Sequence, residues 1–294
     1  MSVRVVTDST ANIPSEERER RGITVIPLSI ALEGTMYVEG DADDAFYKAL
    51  ETSKTFPSSS QPSVAAFADV FMEAAEAGDE VTGVFISSRM SGTYSTALMA
   101  RDLVHETHPD ARIEIVDSGS NCMEEGFAVF AATEAAAAGA SASEAAQAAV
   151  EMTAHTRFLF VPETLEYLRR GGRIGSASAL LGTLLQIRPV LTVVDGETDV
   201  FARVRTRKKA VAEIIAAFEK DIAQKGLGGA CVHHIADVAA GQALAEMVEA
   251  AIGEAVPVVG IGPVVGGHVG PGTVGVVYHT IGVMDKRHSG KASA

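Results

Sequence analysis

Three sets of residues have the types and spacing for chemistry. The first is Ser91-Gly92-Thr93, where the apolar run Val81, Val84, Phe85 and Ile86 gives way to helical spacing through Tyr94, Ala97, Leu98, Arg101 and Leu103. A helix N-terminus at that point has backbone N–H groups without intrahelical partners and a dipole that favours negative charge. With Gly92 allowing close approach and two hydroxyls alongside, it suits an anion. The competing reading is that Ser91 only caps its own helix. The second is His268 in Gly266-Gly267-His268-Val269-Gly270-Pro271-Gly272, an imidazole with no acidic or cysteine companion nearby, which argues against a metal and leaves a ligand-facing or a structural role open. The third is arginine. Arg173 closes the tight turn Arg169-Arg170-Gly171-Gly172-Arg173 and is placed to meet a carboxylate or phosphate, whereas Arg169 and Arg170 also fit a solvated helix C-terminus. Arg203, Arg205 and Arg207 alternate and so are predicted to share one strand face, with Lys208 and Lys209 beyond them. That patch is either a docking surface or an edge whose charges discourage strand pairing. His233 and His234 are neighbours in a predicted strand, point to opposite faces and cannot ligate one ion together.

The elements that must position these groups follow from periodicity and punctuation. Val3 to Val6 is a short strand ending in Thr7-Asp8-Ser9-Thr10, followed by a helix that starts at Pro14 and stops at Gly22. Ile23 to Leu32 reads as one strand. Asp41, Asp43 and Asp44 read as cap and first-turn charges of a helix through Leu50 rather than as a calcium loop. Lys54 to Ser63 is a polar loop running into a helix to about Ala77, and Ile113, Ile115 and Val116 form a strand ending at Asp117-Ser118 before helices over 122–138 and 143–153. Strand ends that each lead through small hydroxyl or acidic residues into a helix describe a parallel sheet whose carboxyl edge gathers polar groups. Near Thr153 the rhythm changes. Ile187 to Val194 and Val200 to Val204 flank Asp195-Gly196 as a hairpin, and helices over 208–224 and 239–251 alternate with strands over 230–235, 256–261 and 274–279. The expectation is an α/β protein of two domains. Residues 1–153 form an N-terminal parallel-sheet, Rossmann-like domain, residues 154–284 a C-terminal α/β domain with a mixed or antiparallel sheet, and residues 285–294 a polar, disordered tail.

Composition narrows the function. The chain has 294 residues, is 47% hydrophobic and carries a formal net charge of -14, which argues for a folded core and against a nucleic-acid surface. Cys122 and Cys231, in no metal-ligand or redox spacing, read as core thiols of a reducing compartment. Charge comes too early for a signal peptide and no apolar run approaches ~18 residues, so a cytoplasmic protein is expected. Nucleotide-loop, nucleophile-elbow, dinucleotide-loop and zinc-protease motifs are all missing from the sequence.

Taken in order, Thr7-Asp8-Ser9-Thr10-Ala11, Ser59-Ser60-Gln61-Pro62-Ser63, Ile86-Ser87-Ser88 with Ser91-Gly92-Thr93-Tyr94, Gly171-Gly172-Arg173-Ile174 and His268-Val269-Gly270-Pro271-Gly272 resemble the DegV family across nearly the whole chain. The resemblance implies a two-domain α/β protein holding one long-chain fatty acid in a tunnel between domains. It also implies service as the fatty-acid-binding subunit of a bacterial fatty acid kinase, whose catalytic subunit carries the nucleotide site. The carboxylate would be met by the hydroxyls of Ser59, Ser60, Ser91 and Thr93 about Gly92, with Arg173 and His268 near the head group, and Arg203 and Arg205 would help dock the kinase. No cofactor, transient membrane contact and a monomer are implied with it. One departure is Ser59, where the family commonly has threonine. Two rival classes remain at this level: a stand-alone hydrolase or phosphotransferase with Ser91 as nucleophile and His268 as base, and a sensor of short polar anions.

Overall fold

In the computed structural model, residues 2–40, 43–181, 187–284 and 286 are described. Asp41 and most of the polar tail (285 and 287–294) lie outside them. The chain divides into two compact units, one comprising Met1–Thr153 and Gly262–Val265, the other Ala154–Ile261 and Gly266–Ala294.

The first unit contains, in order, β1 (Val3–Asp8), α1 (Ser15–Arg21), β2 (Thr24–Ile26), β3 (Ser29–Leu32), β4 (Thr35–Val38), α2 (Asp43–Thr52), β5 (Ser58–Ser60), α3 (Val64–Glu76), β6 (Glu80–Phe85), α4 (Thr93–Thr107), β7 (Ile113–Asp117), α5 (Cys122–Ala137) and α6 (Ala142–Thr153). Its main sheet is wholly parallel, in the order β2-β1-β6-β7. All six residues of β6 are buried, as a central strand with helices on both faces requires. One face packs Phe85 edge-on against Phe67 of α3, 5.2 Å between ring centroids, and Ala97 and Ala100 let α4 lie close to it. Along α5, residues 122–129 are all buried, which explains why its sequence is apolar without an amphipathic stripe.

The stretch read as one strand over 23–32 is two. Pro27 and Leu28 separate β2, which pairs with β1, from β3, which belongs to a small antiparallel sheet β4-β3-β5. Strand β4 was not expected, and part of the predicted polar loop over 54–63 is β5: its serines pair Ser29 with Ser60 and Ile30 with Ser59. Three residues of serine carry no apolar alternation, so only their partner strand makes them a strand.

The second unit contains β8 (Thr156–Val161), α7 (Glu166–Arg170), a 3-10 turn at Gly175–Leu180, β9 (Arg188–Val194), β10 (Glu197–Val204), α8 (Arg207–Lys225), β11 (Leu227–His234), α9 (Val238–Ile252), β12 (Val258–Gly260), α10 (Pro263–Val269, its first residues counted with the first unit) and β13 (Val274–Thr280). The six-stranded sheet β10-β9-β8-β13-β11-β12 is antiparallel except for β11 with β12. Its core gathers Leu159, Val232, Val276, Ile214, Phe218 and Leu244. Inside it Arg157 pairs with Asp221 at 2.6 Å, and the Tyr278 hydroxyl donates to the same carboxylate at 2.7 Å, so the buried carboxylate has both a charge partner and a second hydrogen bond. The alternating stripe expected over Arg203, Arg205 and Arg207 does not persist. β10 ends at Val204, Thr206 caps the next helix by accepting the Lys209 N–H, and Arg207 already belongs to α8. The stretch over 262–273, to which the sequence reading assigns no element, contains α10. Among the described residues no helix is long and apolar enough to cross a membrane.

Candidate functional site

The groups of the first unit stand at the carboxyl ends of β1, β6 and β7. Three loops are tied together there: the Asp8 carboxylate accepts the Ile86 N–H at 2.9 Å, the Ser87 N–H bonds Ser120 O at 2.8 Å, and Asp117 accepts the Ser88 N–H at 3.2 Å. Ser87 O in turn accepts the N–H groups of Met90 and Ser91, which folds the chain into a turn directly before α4. Gly92 is the residue before the first helical position and offers no side-chain cap. Ser91 Oγ lies 2.8 Å from Thr93 Oγ1 and accepts the Thr93 N–H at 3.3 Å, so capping and a paired-hydroxyl arrangement occur together.

Gln61, to which sequence reasoning assigns no role, explains Gly92. Its amide donates to Thr96 Oγ1 at 2.7 Å, and its Oε1 would lie 2.1 Å from any Cβ at position 92. The glycine is therefore required by the glutamine. Ser59 is half-buried and Ser60 exposed, and alternation along β5 sends the two hydroxyls to opposite faces. Ser63 caps α3 through the Ala66 N–H.

Under this edge lie three buried carboxyls that the sequence reading did not single out. Thr10 Oγ1 donates to Asp8 at 2.5 Å and lies 3.2 Å from Glu125 Oε2, while Thr7 Oγ1 donates to Glu125 at 3.1 Å. Burial pushes Asp8 up, and burial with the Asp8 charge pushes Glu125 well above the carboxylate range. One hydroxyl proton cannot serve two acceptors, so a protonated Glu125 that donates to Thr10 Oγ1 satisfies the set. Glu39 accepts from Ser9 Oγ at 2.6 Å and is raised to about 7 by burial, with Asp43 and Asp8 adding charge repulsion. A carboxyl preceded by the exposed β4 carries no periodic signal, which is why sequence did not find it.

The second unit carries Arg173 and His268. The Arg173 guanidinium, exposed at its tight turn, donates to Gly171 O at 2.6 Å. A Cβ at Gly171 would lie 2.3 Å from His268 Nδ1, so the imidazole packs directly on the glycine turn. Burial, and then the Arg173 charge, lower His268 to about 4. The imidazole is therefore neutral at pH 7, and the positive charge beside it is that of Arg173. Gly270, at φ +97°, faces the Tyr167 ring, which a Cβ would approach to 2.5 Å. Arg203 and Arg205 are exposed near the end of edge strand β10. Arg207 differs, pairing with Glu163 at 2.8 Å and with Asp237 at 3.8 Å. Arg169 and Arg170 both face Glu166, at 2.6 and 4.0 Å. His233 is buried, its Nδ1 3.0 Å from Val259 O.

A cavity of about 500 Å³ lies elsewhere in the first unit, near the amino ends of β6 and β7, among Glu80, Arg101, His105, Arg112 and Ser141. Its charges serve one another or their neighbours: Arg112 meets Glu80 and Arg101 meets Asp102, each at 2.8 Å. Among the described residues no cluster of three or more His, Cys, Asp and Glu is placed to hold a metal ion.

These features define a two-unit α/β protein whose polar groups suit a carboxylate or another small anion. The family model described as "Uncharacterised protein, DegV family" matches residues 2–280. A DegV domain-containing protein of Clostridium acetobutylicum is 44% identical over 281 residues, covering 95% of this chain and 98% of that one. The chain belongs to the DegV family. Solved relatives include a DegV family protein of Thermus thermophilus described for its fatty acid binding (34% identity, TM-score 0.84, 95% of this chain and 100% of that one). DegV of Bacillus subtilis, described as a fatty acid binding protein, is 30% identical with TM-score 0.84, covering 95% and 99% of the two chains. A stearic acid-binding protein of Eubacterium ventriosum is 28% identical with TM-score 0.85, covering 95% and 98%.

Proposed function

We propose that this protein binds one long-chain fatty acid and presents its carboxylate to a separate kinase subunit, which converts it to an acyl phosphate. The observation that carries the reading is the pair of hydroxyls of Ser91 and Thr93, 2.8 Å apart at the start of α4 behind a glycine held clear by Gln61. Such a turn meets a carboxylate with hydroxyl and backbone donors and needs no basic field. The fatty-acid ligands named for the solved relatives supply the ligand class. One hydroxyl of the Ser59-Ser60 pair, whose side chains lie on opposite faces of β5, extends this hydroxyl set, and Arg173 and His268 serve the head group. Since His268 is neutral, it offers one N–H to the carboxylate, while Arg173 takes the charge that phosphorylation adds.

The acyl chain sets affinity and the polar end sets orientation. Burying ~15 methylenes at ~0.8 kcal/mol each is worth on the order of 12 kcal/mol gross, well above a few head-group hydrogen bonds. The engagement of Ser91 Oγ with Thr93, rather than with an imidazole, supports binding over nucleophilic attack. Arg203 and Arg205, exposed on so acidic a chain, are assigned to kinase docking.

Organic extraction of the purified protein followed by mass spectrometry tests the reading. About one acyl chain per folded protein is expected. Folded protein that carries no acyl chain and takes up none when offered palmitate would refute it. Turnover of an acyl phosphate or ester by this chain alone, abolished in Ser91→Ala, would favour the hydrolase class instead.

A further inference from the structure

Three side chains from separate parts of the first unit hold the residues that lead into α10. Asn12 Oδ1 accepts the Gly262 N–H at 2.7 Å, the Tyr47 hydroxyl donates to Gly262 O at 2.9 Å, and Glu39 Oε1 accepts the Val264 N–H at 3.0 Å. Gly262 and Val264 are counted with that same unit. Both backbone polar groups of Gly262, just before α10, and the Val264 N–H in the helix's first turn are thus fixed by directed bonds. Apolar packing of Val264 and Val265 would locate this segment, but only hydrogen bonds set the rotation of its peptide planes.

The clasp is built at some cost. Asn12 sits at φ +51°, a left-handed conformation, and spends its amide N–H on Thr10 O at 2.7 Å. Glu39 is a carboxyl 6% exposed, and a Cβ at position 262 would come within 2.3 Å of its Oε1, so only glycine fits. The helix that the clasp begins cannot fix itself. It has seven residues, two of them the adjacent Gly266 and Gly267, well short of the length at which helices hold in water. Its orientation has to be imposed at its ends. At the far end Gly270 is held by its N–H to Gly266 O and by the Thr273 hydroxyl on its carbonyl, both at 2.8 Å. Between them, four residues after Val264 and so on the same helical face, stands His268.

We infer that Asn12, Glu39 and Tyr47 are positioning residues for His268, setting the rotation of α10 and with it the imidazole that meets the acyl carboxylate. The inference rests on the carboxylate role proposed for His268.

The test uses the full-length protein with histidine labelled for NMR, in the variants Tyr47→Phe, Glu39→Ala and Glu39→Gln, each confirmed folded by thermal melting. Tyr47→Phe removes only the donor to Gly262 O, and Glu39→Gln keeps an acceptor oxygen for Val264. Tyr47→Phe and Glu39→Ala should shift the His268 ring signals and move its titration midpoint back toward the ordinary histidine value, while His155, bonded to Thr280 O, stays unchanged. Glu39→Gln should restore most of the wild-type spectrum. Palmitate should dissociate roughly fivefold faster from the two perturbed variants, as loss of one directed hydrogen bond allows. If His268 keeps its wild-type signals in folded Tyr47→Phe and Glu39→Ala, the clasp does not position it and the inference is overturned. If His268 moves while palmitate release stays at the wild-type rate, the clasp stands and the carboxylate role of His268 falls.

Discussion

His268 Nδ1 lies where a side chain at Gly171 would have to go, 2.3 Å from an ideal Cβ at that position. Gly171 has φ -73° and ψ -11°, so alanine fits its backbone and meets only the imidazole and Tyr167 O at 3.1 Å. Gly171→Ala is expected to displace His268 and weaken palmitate binding several-fold in a fluorescence competition assay. Gly172→Ala is the contrast. That glycine has φ +74° and open space around it, so alanine should cost about 1 kcal/mol of stability by backbone strain and leave binding unchanged. Equal effects of the two substitutions on binding would count against a specific contact with His268.

Gly92 and Gln61 form a second such pair, and a double-mutant cycle can isolate it. With φ -76° and ψ 0°, Gly92 tolerates alanine conformationally, but the Cβ would displace the Gln61 amide and break its bond to Thr96 Oγ1. Gly92→Ala is expected to cost about 1–2 kcal/mol by urea denaturation, and the same substitution in a Gln61→Ala background much less. Additive costs in the cycle would show that the glycine serves something other than the glutamine.

What could be read from the chain, and what could not, divides along physical lines. Ser91-Gly92-Thr93 was legible because an apolar strand followed by helical spacing is a local signal, and Thr93 does begin α4. The parallel sheet and the β9–β10 hairpin were legible for the same reason. β5 was not, since three serines become a strand only by pairing with β3. Nor was Glu39, whose partners Ser9 and Val264 lie 30 and 225 residues away. The arginine alternation misled because Thr206 caps a helix where the pattern required extended chain. His268 was singled out by its glycine setting, but its neutral state depends on burial and on Arg173, which spacing alone does not encode.

Arg203 and Arg205 are exposed, whereas Arg207 bridges Glu163 and Asp237. Reversal of the first two to glutamate is therefore expected to leave folding and palmitate affinity within about twofold of wild type, since exposed charges contribute little to either. Acyl phosphate production with a kinase subunit should fall by an order of magnitude or more, and the loss should shrink at higher salt. Arg207→Glu should instead lower thermal stability by setting three acidic groups together. Unchanged coupling in the Arg203 and Arg205 double reversal would remove the docking role.

Glu39 and His233 are both buried, and their titrations pull stability in opposite directions. Burial, with Asp43 and Asp8 adding charge, raises Glu39 from 4.5 to about 7, and burial lowers His233 from 6.5 to about 4. Between pH 4.5 and 7 the folded protein holds a proton on Glu39 that the unfolded chain has released. The Glu39 contribution is thus full below pH 4.5 and is lost as pH climbs through 7. For His233 the unfolded chain takes up a proton that the folded protein refuses, so its contribution is full above pH 6.5 and is lost as pH falls toward 4. Each shift corresponds to at most about 3 kcal/mol. Glu39→Gln cannot ionise, so its stability relative to wild type should rise steadily from pH 4.5 to 7 and then level, as followed by urea denaturation at half-unit intervals. His233→Asn should gain on wild type as pH falls from 6.5 toward 4. Asp8 and Glu125 are also raised, and they tilt the wild-type curve in the same sense as Glu39, so the differences between variant and wild type are the quantities to compare. A Glu39→Gln difference that does not change with pH would mean that water reaches this carboxyl and that the clasp on Gly262 and Val264 opens readily in solution.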